Sequence, residues 1–211
     1  MEIRVKTCVL GELSTNCYIV WREGNPKAVV IDPADQADAI LAACEKLSLE
    51  PEAILLTHGH ADHVLAADAL RDACKISVIA CKKEEELMQD ARKNLSMMLM
   101  GRAVTLAADT WVKEGDILEF SGFSLEVMET PGHTAGSVCY YLKDDKVLFS
   151  GDTLFAGSYG RVDFPTSSMR DMVYSLRKRL FVMPDDIMVY PGHGNPTTIG
   201  YEKQYNPAAG R

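Results

Sequence analysis

The sequence predicts a mixed α/β fold of two halves built around strands buried on both faces. Three observations carry that expectation. Short apolar runs and helical stretches alternate along all 211 residues with no linker between them. A Pro-Gly-His tripeptide closes an apolar run twice, at Pro131-Gly132-His133 and at Pro191-Gly192-His193. Hydrophobic residues make up 47% and charged residues 25%, which argues against disorder and fibrous repeats.

The elements follow in order. Residues 2–8 alternate charged and apolar side chains, and CYIVW (17–21) and KAVVI (27–31) read as further strands, the last stopped by Asp32-Pro33. Ile40, Leu41, Cys44 and Leu47 recur at helical spacing and predict a helix over 35–48. Pro51 opens EAILLT, a buried strand. VLAADALRDAC (64–74) is expected to be one helix with Asp62 in its first turn, followed by a strand at ISVIA (76–80). Residues 82–100 begin as a helix and end in Met97, Met98 and Met100. These read first as packing surface, with an adaptable substrate mouth as the competing reading.

ILEF and FSLEVMET flank Gly122 as a hairpin, and VCYYL and KVLFS flank Asp144-Asp145 as a second. Residues 167–181 predict a helix capped by Ser167 or Thr166, with Met172, Leu176 and Leu180 on one face. IMVY (187–190) is a last buried strand, and the Gly-, Pro- and Asn-rich tail from Gly192 reads as loop.

Charge narrows the partners. Lys and Arg number 22 against 30 Asp and Glu, a net −8. Such a chain has no electrostatic footprint for nucleic acid or an anionic membrane surface. No stretch approaches the 18 or so apolar residues of a membrane span, and MEIRVKTCVL lacks the apolar run of a signal peptide. Six scattered cysteines without a CxxC read as reduced, buried small hydrophobes, so a cytoplasmic protein is expected.

The chemistry lies in the histidines. All five (His58, His60, His63, His133, His193) fall in the run Thr57–His63 or in the two Pro-Gly-His tripeptides. His58 and His60, two apart in extended chain, point the same way. Asp62 and His63 follow where a helix begins. Asp152 follows strand LFS. Each candidate therefore sits just beyond a buried apolar run, where open α/β sheets place their sites. Imidazole and carboxylate without thiolate suit a catalytic zinc, and also iron or manganese. Five histidines with Asp62 and Asp152 make seven ligands, too many for one tetrahedral ion and enough for two with a shared carboxylate. Asp32, at the end of its strand, reads either as a strand cap or as a brace for the histidine loop by hydrogen bonds.

At these residues the chain resembles the metallo-β-lactamase superfamily, whose HxHxDH signature stands as His58, His60, Asp62 and His63. The resemblance covers essentially the whole chain, 1–211, read as one domain. It implies an αβ/βα four-layer sandwich of two mixed β-sheets flanked by helices, with a pair of divalent metal ions at one edge, zinc first and iron or manganese next. It implies a first metal on His58, His60 and His133, a second on Asp62, His63 and His193, and Asp152 bridging. Asp62 would orient a bridging hydroxide. TPGHTAGS (130–137), GDTLF (151–155) and GRVDFP (160–165) look like the glyoxalase II-like branch, hydrolases of S-D-lactoylglutathione. Arg161 then stands where a basic residue contacts the glutathione carboxylate, with Tyr159 beside it. Asp163 stands where an aromatic contact to glutathione is expected, and no helical glutathione-binding domain follows His193. The implied partner is a small molecule, glutathione-linked or another small thioester.

Three other functions compete. A mononuclear-iron persulfide dioxygenase would use His58, His133 and Asp152. A lactonase or β-lactamase shares the hydroxide attack on a carbonyl. A non-catalytic metal-binding module is the third, although no ligand of the set is missing.

Overall fold

The computed structural model describes residues 1–210. Its first half is one mixed sheet. Strands β1 (Ile3–Leu10), β2 (Thr15–Arg22) and β3 (Lys27–Ile31) run antiparallel. After helix α1 (Ala37–Lys46), β4 (Glu50–Leu55) pairs parallel to β3. Two short helices, α2 (Ala61–Val64) and α3 (Ala67–Cys74), lead to β5 (Ser77–Cys81). A 3-10 turn over Lys82–Glu84 precedes α4 (Glu85–Gln89) and α5 (Ser96–Leu99), and β6 (Thr110–Val112) closes the sheet in the order β1-β2-β3-β4-β5-β6.

The second half is the mirror arrangement. Hairpins β7 (Ile117–Phe120)–β8 (Phe123–Glu129) and β9 (Val138–Leu142)–β10 (Val147–Gly151) are joined by a small ribbon, β11 (Leu154–Phe155) and β12 (Ser158–Tyr159), to helix α6 (Met169–Tyr174). α6 continues as a π-helical turn over Ser175–Leu180, and β13 (Met188–Pro191), β14 (Thr197–Thr198) and α7 (Ile199–Tyr205) follow. The sheet order is β14-β13-β10-β9-β8-β7, with β10 and β13 parallel.

Alternation along each strand builds the layers. In β2 and β3, Tyr18, Val20, Val29 and Ile31 face the second sheet, where Leu125, Val127, Tyr140 and Phe149 meet them. Cys17, Ile19, Ala28 and Val30 point the other way, onto Ile40 of α1 and Leu70 of α3. Cys139, Leu148 and Val189 carry Met172 and Leu176 on the opposite outer face. Period-2 strands apolar on both faces can be stable only with cover on both sides. That gives helix, sheet, sheet, helix: the expected four layers.

Local expectations fared unevenly. Both hairpins and strands β1 to β5 form where expected, but the single helix over 64–74 is two. Ala66 N–H bonds to the Pro33 carbonyl, which fixes the join at the site end of the sheet. The helix over 167–181 takes Ser168 as its cap, accepting from Asp171 N–H, and Ser167 instead bonds the His133 carbonyl. The tail from Gly192 is not loop. Thr198 caps α7, Ile199 is fully buried, and Glu202, also fully buried, accepts from Gly157 N–H, Thr197 Oγ1 and Asn206 Nδ2. One of the partners that bury Glu202, Gly157, lies 45 residues upstream, and no local pattern announces that contact. Strands β6, β11 and β12 are too short for a periodicity signal.

Candidate metal centre

Four loops leave the same edge of the two sheets and converge. The loop after β4 carries His58 and His60, and α2 presents Asp62 and His63. The loops after β8, β10 and β13 carry His133, Asp152 and His193. Three ligand sets result, His58/His60/His133, His58/His63/Asp152 and Asp62/His63/His193, each with its donor atoms within 4.8 Å of one another. Asp152 lies between the histidine groups: Oδ1 is 3.4 Å from His63 Nε2, and Oδ2 is 3.5 Å from His133 Nε2 and 3.6 Å from His193 Nε2. His60 Nδ1 faces His133 Nε2 at 2.9 Å.

The donors fit a metal on physical grounds. Buried polar atoms are almost always hydrogen-bonded. Yet His58 Nε2, His60 Nε2, His63 Nε2 and Asp152 Oδ1 are buried without a hydrogen-bond partner. Unpartnered donors on four residues of the candidate ligand sets fit a site whose lone pairs are taken by cations. An all-nitrogen-and-oxygen set of this kind suits zinc, iron or manganese.

The surrounding residues hold the ligands in place. Asp32, with φ of 49°, accepts from Thr57 N–H (2.8 Å) and Thr57 Oγ1 (2.6 Å) and meets His63 Nδ1 at 3.0 Å. These bonds are those of a brace for the histidine loop. His133 Nδ1 bonds the Arg161 carbonyl at 2.8 Å, which turns its Nε2 inward. Thr15 Oγ1 donates to Asp62 Oδ2 at 3.0 Å. Asn16 Nδ2 bonds the carbonyls of Pro191 and Gly194, at 2.9 Å each, fixing the His193 loop. The glycine of the second Pro-Gly-His is required by close approach: a Cβ at Gly192 would collide with Asp152 Oδ1 and His63.

One contributor lacks any sequence signal. Glu84, only 1% exposed, accepts from Gly59 N–H with one oxygen and from Gly136 N–H with the other, at 2.8 Å each. It ties the His58–His60 loop to the His133 loop. A lone Glu among Lys83, Glu85 and Glu86 reads as a solvated charge, and only the fold buries it.

A family model described as the metallo-beta-lactamase superfamily matches residues 10–193. The chain belongs to the metallo-β-lactamase superfamily. It is 36% identical over 194 residues to the hydroxyacylglutathione hydrolase GloC of Haemophilus influenzae, covering 91% of each chain. It is similar to the crystal structure of the B3 metallo-β-lactamase BLEG-1, with a TM-score of 0.93, 38% identity and coverage of 99% of this chain and 100% of that one. It is also similar to TTHA1623, solved in a di-iron-bound form, with a TM-score of 0.85, 36% identity and coverage of 96% and 99%.

The electrostatics of this superfamily site divide the ligands. Burial, reinforced by neighbouring imidazoles, drives His58 well below the usual imidazole range and His60 to about 3, so both are neutral and ready to donate lone pairs. Burial alone would raise Asp152, but the charge on His63 and the bond to it prevail and hold it well below the carboxylate range. Burial likewise opposes charge on His63, and Asp62 and Asp152 outweigh it, holding His63 well above its ordinary value.

A cavity of about 420 Å³ opens over the ligands. His60, Asp62, His133, Asp152 and His193 line it, with Tyr159 on its wall and Arg161 at its rim. Arg161 does not extend a free fork. Its Nε and Nη2 bond both oxygens of Asp163, at 2.7 and 2.6 Å, and its guanidinium lies 3.9 Å above the Phe164 ring. Met98 also lines the cavity, so the mouth reading of the methionine segment describes it better than buried packing. Among the described residues, no helix is long and apolar enough to cross a membrane.

Proposed function

We propose that the chain is a thioesterase with two divalent ions, zinc first and iron or manganese as alternatives, acting on S-D-lactoylglutathione or a related small thioester. The observation that carries the reading is the cluster of unpartnered buried donors beside an open cavity that His60 and Asp152 line. His58, His60 and His133 would hold one ion, and Asp62, His63 and His193 the other, with Asp152 shared. When bound, such a pair supplies a hydroxide at neutral pH and polarises the carbonyl under attack.

The chain's own residues do the rest. Asp62, its Oδ2 steadied by Thr15, faces the cavity and would accept the hydroxide's proton in a hydrogen bond, aiming the oxygen lone pair at the carbonyl. Asp32 and the Arg161 carbonyl lock the His63 and His133 rings, so the reacting groups need no reorganisation. No side-chain nucleophile is required. The resemblance to GloC, a protein named as a hydroxyacylglutathione hydrolase, supports the thioester as the bond broken.

The test is loss of thioester absorbance from S-D-lactoylglutathione with zinc-loaded protein against a chelated control. Metal-dependent loss is expected. No hydrolysis of this or of any small acyl thioester, with two ions confirmed bound, refutes the reading. A β-lactam run in parallel and oxygen uptake by the iron form on glutathione persulfide then show whether the site does different chemistry.

A further inference from the structure

Beyond the metal ligands, the cavity offers a substrate almost no charge. Its apolar lining is Leu13, Leu95, Met98, Leu99, Phe155 and Phe164. Met98 is 61% exposed and Leu13 45% exposed, and the two line the same cavity with Leu95 and Leu99. Among the described residues, Arg161 is the one Lys or Arg lining the cavity, and it is paired with Asp163. The other charged residues lining it are Asp62 and Asp152, which belong to the metal site. An anionic arm lying here would find no free positive charge outside the metal centre and would leave Met98 and Leu13 in contact with a solvated group. An apolar arm would bury both.

We propose that this cavity selects substrates whose arm beside the reacting bond is uncharged and apolar, and that Asp163 sets that preference by neutralising Arg161. Which bond reacts rests on the thioesterase reading, but binding of the arm does not. Each methylene buried against Leu13 and Met98 favours binding by up to about fourfold.

Two measurements test this separately. Hexyl and methyl thioethers of N-acetylcysteamine, which cannot be hydrolysed, are titrated into zinc-loaded protein by calorimetry. The hexyl compound is expected to bind at least tenfold more tightly, and Met98→Ser to shrink that ratio at least threefold. Met98 is exposed, so the variant has no folding defect to confuse the result. Affinities within twofold of each other overturn the proposal whatever the activity. Hydrolysis of acetyl, butyryl and hexanoyl thioesters of N-acetylcysteamine and of glutathione is then compared. Asp163→Asn is expected to raise the glutathione to N-acetylcysteamine ratio of kcat/KM at least threefold, and an unchanged ratio overturns the role of Asp163. Tight hexyl binding with no thioester hydrolysed refutes the thioesterase reading and leaves the apolar selection standing.

Discussion

Replacing Glu84 with Gln should weaken metal binding without unfolding the protein. Each carboxylate oxygen accepts one backbone N–H, from Gly59 and from Gly136. An amide keeps one acceptor oxygen and turns an NH2 toward the other N–H, leaving that buried donor unsatisfied. The cost is about 1–3 kcal/mol, which for a chain of this size lowers Tm by roughly 2–4 °C per kcal/mol. The Gly59 backbone is closely packed on this side, since even a Cβ added to it would collide with Met88 and Leu87. The loop would shift and carry His58 and His60 with it. Loss of such supporting contacts typically lowers metal affinity about 10–100-fold. Chelator competition measures the zinc affinity, and thermal unfolding in excess chelator measures the fold alone. Glu84→Asp supplies the control, since it keeps the charge but is one methylene too short to span both amides. Both variants should lose affinity. Zinc affinity within twofold of wild type in both, with Tm lowered, would refute the bracing argument. Loss in Gln alone would show that the charge matters and not the reach.

Further outcomes are expected elsewhere. His58→Ala removes a member of two of the three donor sets and should abolish hydrolysis with the fold kept, read by activity at saturating zinc beside circular dichroism. Gly192→Ala drives a methyl into Asp152 and His63, and inductively coupled plasma analysis should find less than the wild-type metal content. Phe149→Ala empties a fully buried position between Tyr18 and Tyr190, and denaturant unfolding should show a loss of about 3–5 kcal/mol. Zinc uptake at pH 7 should release protons, measurable by pH-stat. His63 is held well above its ordinary value, so it is protonated before uptake and must lose that proton to ligate, whereas His58 and His60 are already neutral.

Much of the site was readable because its signals are local. His58, His60, Asp62 and His63 lie within six residues, and the remaining candidates each follow an apolar run that can only be a buried strand. The supporting contacts were less readable. Asp32 stood out at a strand end but left two readings open, and its bonds to Thr57 and His63 across 25 and 31 residues are those of a brace. Arg161 was legible as a cation near the site. That its fork is engaged by Asp163 two residues on follows from loop geometry that spacing does not specify.

The sequence by itself determined the alternating halves, the strands with two apolar faces and the donor set, because periodicity and residue chemistry are properties of short windows. The tertiary structure alone decided that α7 forms in the tail, that the helix over 64–74 breaks at Ala66, whose N–H bonds the Pro33 carbonyl, that Glu84 is buried between two ligand loops, and that the cavity is lined by Leu13 and Met98. In each case the deciding partner lies far away in the chain. Its hydrogen bonds and contacts outweigh local propensity only once the two sheets have packed together.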